Sequence, residues 1–239
     1  MQSWSYDVMV IGAHPDDAEI GAGGMIAQEI RLGHKVLICD LTAGEMGSNG
    51  NAVQRRSEAL ASAAVLGVSE RICLGFPDRG LQQCEDQISE LVRVIRDYRP
   101  RLVLAPWHED DHLDHVNAAG LVRAASLNAR LRKYGSKDIW AVERVWEYFI
   151  HETSLNPLLL RLEEEDGILK QKALRCYLSQ FQEGEGTVST RLHGLLQRLE
   201  WRDRYAGSQI GAPWAEGFWQ REPLGLYDLR NTLQKRVQE

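Results

Sequence analysis

Val8-Met9-Val10-Ile11-Gly12 runs directly into Ala13-His14-Pro15-Asp16-Asp17-Ala18-Glu19. The apolar run is too short for a helix and rich in β-branched residues, so it reads as a buried strand ending at Gly12. The signature recurs at Val36-Leu37-Ile38-Cys39, Arg71-Ile72-Cys73-Leu74 and Leu102-Val103-Leu104-Ala105, each run bounded by polar or turn residues. Between these runs, Ala22 to Leu32, Asn51 to Leu66 and Glu85 to Tyr98 carry apolar residues at three-to-four spacing, and Gly33, Gly67 and Pro100 stand where helices stop. Strands alternating with helices of this length predict an α/β, Rossmann-like, three-layer fold built on a mostly parallel sheet.

Downstream, a helix is expected from residue 115 to about Leu131, and a strand at Val145 to Ile150 extends the sheet. A Gly/Glu turn at Glu183 to Gly186 precedes a helical pattern from Leu192 to Tyr205 and a Gly/Pro/Trp-rich stretch from Gly207 to Pro223. Nothing resembles a linker or an internal repeat, so residues 1–239 are read as one domain. The composition, 44% hydrophobic and 26% charged, is that of an ordinary globular protein. A net charge of −6 with scattered basic residues argues against a nucleic-acid partner. The N-terminal residues lack the pattern of a signal peptide and no apolar run reaches membrane-spanning length, so a cytoplasmic protein with no membrane partner is expected. Cys39, Cys73, Cys84 and Cys176 form no CxxC pair and read as reduced, mostly buried thiols.

In an open parallel sheet, ligands bind beyond the carboxyl ends of the strands, which is where the His14-Pro15-Asp16-Asp17 loop lies. His14 and Asp17 offer an imidazole nitrogen and a carboxylate oxygen to one cation, a set suited to zinc, and Asp16 is left beside it to accept a proton from an activated water. A plain turn and helix cap would use the same residues. Gly21-Ala22-Gly23-Gly24 is misplaced for a dinucleotide fingerprint, whose glycines directly follow the strand.

Trp107-His108-Glu109-Asp110-Asp111-His112-Leu113-Asp114-His115 leaves the same sheet edge after Leu102 to Ala105. Glu109, Asp110 and Asp111 individually read as solvated carboxylates. His112 and His115, three residues apart and leading into a helix, face one side, so one can bind metal while the other stays free. With His115 as third ligand, the metal keeps open positions; His112, protonated beside Asp114, is then placed to stabilise an oxyanion, and Asp114 to orient a histidine. His34, His151 and His193 read as helix-end or surface residues, and His108 stays undecided. Two histidines and a carboxylate also describe an iron oxygenase triad, and a metal-binding module without turnover is a further alternative.

With both motifs in view, the chain resembles the zinc-dependent N-acetylglucosaminide deacetylases of the LmbE-like, or PIG-L, family. Asp40-Leu41-Thr42, Ser48-Asn49-Gly50, Phe76-Pro77-Asp78-Arg79-Gly80-Leu81, Tyr177-Leu178-Ser179-Gln180-Phe181 and Ala215-Glu216-Gly217-Phe218 make it most similar to the bacillithiol-biosynthesis deacetylases, which act on N-acetylglucosaminyl malate. The resemblance implies His14, Asp17 and His115 as ligands of zinc, or of another divalent ion such as Fe2+. It also implies Asp16 as general base, His112 as oxyanion stabiliser, and Arg55 and Arg144 as substrate-binding arginines, Arg55 toward malate carboxylates. It further implies a small N-acetyl-sugar substrate and a homo-oligomer, commonly a hexamer. Two positions depart from the family pattern: Leu113 stands where proline is usual, and Trp214 where a tyrosine near the site is usual.

Overall fold

The computed structural model describes residues 4–135, 138–151, 154, 157–181, 188, 194–223 and 225. The four apolar runs form parallel strands slightly longer than the runs themselves: β1 (Tyr6–Gly12), β2 (Val36–Thr42), β3 (Glu70–Phe76) and β4 (Pro100–Pro106). Side chains alternate across them. Met9, Ile11, Leu37, Cys39, Val103 and Ala105 face one core, whereas Val8, Val10, Val36, Ile38 and Leu104 face the other. A sheet buried on both faces requires a helical layer on each side. On the first side lie α3 (Glu85–Tyr98) and α4 (Leu113–Ala129), contributing Leu91, Ile95, Leu121 and Ala125. On the second lie α1 (Asp17–Arg31) and α2 (Ala52–Leu66), contributing Ile20, Ile26 and Leu66.

The expected boundaries of α2 and α3 stand, with Asn51 Oδ1 accepting the Gln54 N–H and Gly67 closing α2 at φ 80. The start of α1 does not. The helix begins at Asp17, five residues before the apolar pattern, and breaks at Ala22 (φ −139, ψ 16). Close approach explains its glycines: a Cβ at Gly21 would lie 2.0 Å from the Tyr148 ring, at Gly23 2.9 Å from Lys170, and at Gly24 2.4 Å from Leu162. The glycine-rich stretch is thus a packing surface.

The sheet continues through β5 (Arg144–Tyr148), parallel to β4, then turns antiparallel. β7 (Trp214–Trp219) pairs with both β5 and β6 (Leu158–Leu162), giving the order β3-β2-β1-β4-β5-β7-β6. The Gly207 to Pro223 stretch therefore hides a strand. The sequence pattern also leaves β6, α5 (Glu164–Leu174) and the short α6 (Leu178–Phe181) undisclosed. α7 (Leu195–Gln209) realises the last helical pattern, three residues later at its start and four at its end. The turn at Glu183 to Gly186 and His193 fall outside the described residues.

Two further expectations change. Of the cysteines only Cys39 is buried, Cys73 and Cys84 being exposed and Cys176 intermediate; all four are free thiols. Trp214 lies on β7, two strands away from β4 in the sheet order. It is buried at the start of β7 against Gly167 and Gly207, with the Arg204 guanidinium 4.1 Å from the ring centroid, so its departure from tyrosine affects packing. Leu113 is the exposed first residue of α4, the position at which proline is also tolerated. No described helix is long and apolar enough to cross a membrane.

Candidate metal centre and active site

β1 lies between β2 and β4, where the strand order reverses, and the loops after β1 and β4 open away from each other to form a crevice. Both histidine-rich segments arrive there. His14 follows β1; Asp17 is the first residue of α1; His112 caps α4, and His115 lies in its first turn. Asp17 folds back to accept the His14 N–H (2.8 Å). Its Oδ2 then lies 3.4 Å from His14 Nδ1 and its Oδ1 3.2 Å from His115 Nε2.

The other nitrogen of each imidazole is held by a carboxylate. His14 Nε2 meets Asp114 Oδ2 (3.3 Å) and Asp78 Oδ1 (3.2 Å), and His115 Nδ1 meets Asp110 Oδ1 (2.8 Å). A carboxylate only accepts, so each ring nitrogen that faces one carries a proton; a cation beside Asp17 would displace the protons of His14 Nδ1 and His115 Nε2, while Asp78, Asp114 and Asp110 keep hold of the opposite N–H groups. Carboxylates behind imidazoles orient metal-binding histidines in this way. Among the described residues, His14, His112 and His115 form one group whose donor atoms lie close enough to hold a divalent cation. His14, Asp78 and Asp114 form a second such group, and Asp110, His115 and His151 a third; Asp17 adjoins the first through its contacts with His14 and His115. Charge points the same way: of Asp16, Asp17, Asp78, Asp110 and Asp114, only Asp16 has a guanidinium partner, Arg55, among the described residues. Burial would lower the pKa of His115, yet Asp17 and Asp110 outweigh it and raise it to about 9; Asp17 likewise carries His14 well above its ordinary value against burial. The cluster demands positive charge.

Asp16 has φ 108, and its side chain caps nothing, so the plain N-cap reading fails here. Burial pushes its carboxyl up to about 7 against the lowering pull of Arg55. Arg55 is buried and committed: it donates to Gly44 O (3.0 Å), Pro15 O (2.6 Å) and Asp16 Oδ2 (3.2 Å), with only Nε unpartnered. It clamps Asp16 while itself lining the cavity at the cluster. His112 Nδ1 accepts the Asp114 N–H (3.2 Å), while burial, His115 and His14 lower its pKa. It is a neutral imidazole carrying its proton on Nε2, not the protonated one expected.

Asp114 orients a histidine as expected, but that histidine is His14; it also accepts the Arg79 N–H (2.7 Å). Arg144 is not brought to the cluster. It opens β5 beside Leu102, at the opposite end of the sheet. Asp110, expected in solvent, is buried and organises the loop, accepting from His115, from the His112 N–H (2.8 Å) and from His151 (3.0 Å). His151 is exposed, as read from the sequence, but it also stacks on His115 at 5.3 Å and so belongs to the cluster. Its only sequence signal is its place just after the β5 run. His108 turns away to Glu147 and Trp219, and Glu109 and Asp111 are exposed as expected.

The cluster forms the floor of a cavity of about 270 Å³, walled by Ile20, Ser48, Asn49, Arg79, Ile150, His151 and Gln180. Three of the segments that carried the resemblance thus meet at its mouth. Another, Ala215 to Phe218, lies in β7 and contributes no residue to the cavity lining.

Comparison with known proteins covers the same segments. The PIG-L family model, described as GlcNAc-PI de-N-acetylase, matches residues 9–126, which contain every cluster residue except His151. Diacetylchitobiose deacetylase of Thermococcus kodakarensis is 32% identical over 192 residues, covering 74% of this chain and 70% of that protein. The crystal structure of a conserved protein from Thermus thermophilus superposes with TM-score 0.85 at 34% identity, covering 94% of this chain and 98% of the other. N,N'-diacetylchitobiose deacetylase from Pyrococcus horikoshii gives a TM-score of 0.76 at 25% identity, covering 89% of this chain and 82% of the other. A three-layer sheet, a crevice carrying two histidine half-sites and these likenesses together make the chain a member of the PIG-L family.

Proposed function

We propose that this protein hydrolyses the N-acetyl group of a small N-acetylglucosamine conjugate, using one zinc ion bound by His14, Asp17 and His115. The observation that carries the reading is Asp16: a buried carboxylate, clamped by Arg55, beside a three-donor centre that leaves room for water and substrate. When bound, the cation polarises the amide carbonyl and acidifies water. The remaining work belongs to the chain. Asp16 accepts a proton from the attacking water, and His112 Nε2–H donates to the tetrahedral oxyanion. Asp16 then returns the proton to the leaving nitrogen; the C–N bond breaks, giving acetate and the free amine. Arg55 holds the Asp16 carboxylate in place and keeps it from rotating to a cap position.

The finer assignment is N-acetylglucosaminyl malate. What supports it, besides the sequence segments, is Arg79, whose exposed guanidinium lines the cavity and has no carboxylate partner among the described residues. A guanidinium there suits a dicarboxylate aglycone. The test is acetate release under anaerobic conditions from N-acetylglucosaminyl malate, N-acetylglucosamine and diacetylchitobiose. Preference for the malate conjugate that shrinks in Arg79→Ala supports the aglycone; equal rates on all three discard it and leave the deacetylase. Asp16→Asn is expected to cut turnover by about 10²–10⁴-fold with zinc near one equivalent. Full activity in that variant removes Asp16 from the mechanism. Assembly as a homo-oligomer, a hexamer on family analogy, is tested by light scattering.

A further inference from the structure

His151 is the one histidine of the cluster with neither a ligand role nor a place in the proposed chemistry. Its backbone N–H donates to Asp110 Oδ2 (3.2 Å), and its Nδ1 lies 3.0 Å from Asp110 Oδ1. Asp110 is buried, accepts the His112 N–H (2.8 Å) and lies 2.8 Å from His115 Nδ1, so its position is fixed from several sides. A carboxylate accepts, so His151 Nδ1 is the donor to Asp110, and the tautomer selected by this bond leaves Nε2 as an acceptor. That Nε2 has no partner among the described residues, while the ring lines the cavity and lies parallel to His115 at 5.3 Å and 14°. The stack and the two bonds to Asp110 fix the ring in orientation. A rigid, preoriented acceptor one ring away from a metal ligand is suited to a donor on the bound molecule. The cavity, about 270 Å³, is of the size that holds a single sugar ring, whose hydroxyls are such donors.

We propose that His151 is a specificity residue that accepts a hydrogen bond from one hydroxyl of the sugar ring through Nε2. The proposal rests on the deacetylase reading. It assigns His151 to substrate recognition and Asp110 to fixing two rings at once: His115 for the metal and His151 for the sugar.

The experiment compares the zinc-loaded wild-type enzyme with His151→Ala and His151→Gln on an N-acetylglucosamine conjugate and on its 3-deoxy, 4-deoxy and 6-deoxy analogues. In His151→Ala, kcat/KM on the parent is expected to fall about tenfold, chiefly through KM, with zinc still at one equivalent. One deoxy analogue is expected to lose about tenfold on the wild type and to lose nothing further on His151→Ala. The Gln variant, whose side-chain oxygen also accepts, should recover part of the loss. If every deoxy penalty carries over unchanged to His151→Ala, the residue merely fastens the loop and the proposal is overturned. A second zinc equivalent in the wild type that vanishes in His151→Ala overturns it in favour of a metal-binding role through Asp110 and His151. Absence of acetate release by the wild type from any sugar removes the deacetylase reading itself, and is distinguished from the other two outcomes by the parent substrate alone.

Discussion

Two knots of buried charge sit on α1, and they are balanced in opposite ways. At the kink, Lys170 Nζ donates to Asp203 Oδ2 and Glu216 Oε1, both at 2.6 Å, while Glu216 accepts the Gly24 and Met25 N–H groups (2.8 and 2.7 Å) freed by the break at Ala22. Arg202 adds a second cation on Asp203 (2.8 Å) and donates to Ile20 O (2.9 Å). Two carboxylates meet two cations, and the knot is closed. At the start of the same helix, the carboxylates around His14, Asp17 and His115 outnumber Arg55 and border a cavity. Both regions are buried and polar, so burial alone does not mark a site. The mark is charge that the chain's own residues leave unbalanced, with space for something else to balance it.

The sharpest way to break this contrast is to disable each knot and ask what is lost. His115→Ala is expected to reduce zinc from one equivalent to nearly none and acetate release by about 10³-fold or more, because the cation supplies the activated water. Metal analysis beside the assay checks it, and a variant that keeps its zinc places the centre elsewhere. Lys170→Met leaves the buried Glu216 without a cation and Asp203 with Arg202 alone, and is expected to cost about 3–5 kcal/mol, read from the urea midpoint. The protein that remains folded should still bind one zinc; if it does not, the two knots are one cooperative unit. Asp110→Asn keeps the shape but weakens the hold on His115, and should lower zinc affinity by about 10–100-fold in competition with a chelator. Unchanged affinity would reduce Asp110 to loop packing.

The smallest effect lies at the far end of the sheet, where charge and hydroxyl are matched. Tyr6 and Tyr98 donate to the two oxygens of Glu70 (2.6 and 2.9 Å). Burial first, and then the Glu70 contact, push the Tyr6 hydroxyl up to about 12. The folded state holds that proton more tightly than the unfolded chain, whose tyrosine titrates near ~10. The resulting stabilisation is complete below about pH 10 and disappears as the pH rises through about 12. Tyr6→Phe should therefore flatten the alkaline fall in denaturation midpoint and leave zinc binding and turnover untouched.

What the sequence discloses follows from the range of the interactions involved. The parallel strands are legible because each is an uninterrupted apolar run buried on both faces. β6 is not, since Leu158 to Leu162 is short, includes Arg161 and acquires its strand character by pairing with β7, more than fifty residues later. The start of α1 is hidden because Pro15-Asp16-Asp17 reads as a turn, while the helix there is stabilised by contacts from β5, α5 and β7. Within the site, His14, Asp17, His112 and His115 stand out as residue types crowded at two strand ends. Asp78, Asp110 and His151 do not, because their meaning lies in pairings such as Asp78 with His14 and His151 with Asp110, set by the tertiary fold. Arg55 is legible as a site residue by resemblance, but its contact with Asp16 is not.

The backbone of Asp16, at φ 108, lies in a region where glycine rests without penalty and a side chain does not; such residues carry roughly 1–3 kcal/mol of strain. Stability and turnover therefore pull in opposite directions at this single position. A library of variants sorted only for heat resistance should drift there toward glycine and become inert, whereas the same library sorted for acetate release should keep aspartate at every generation.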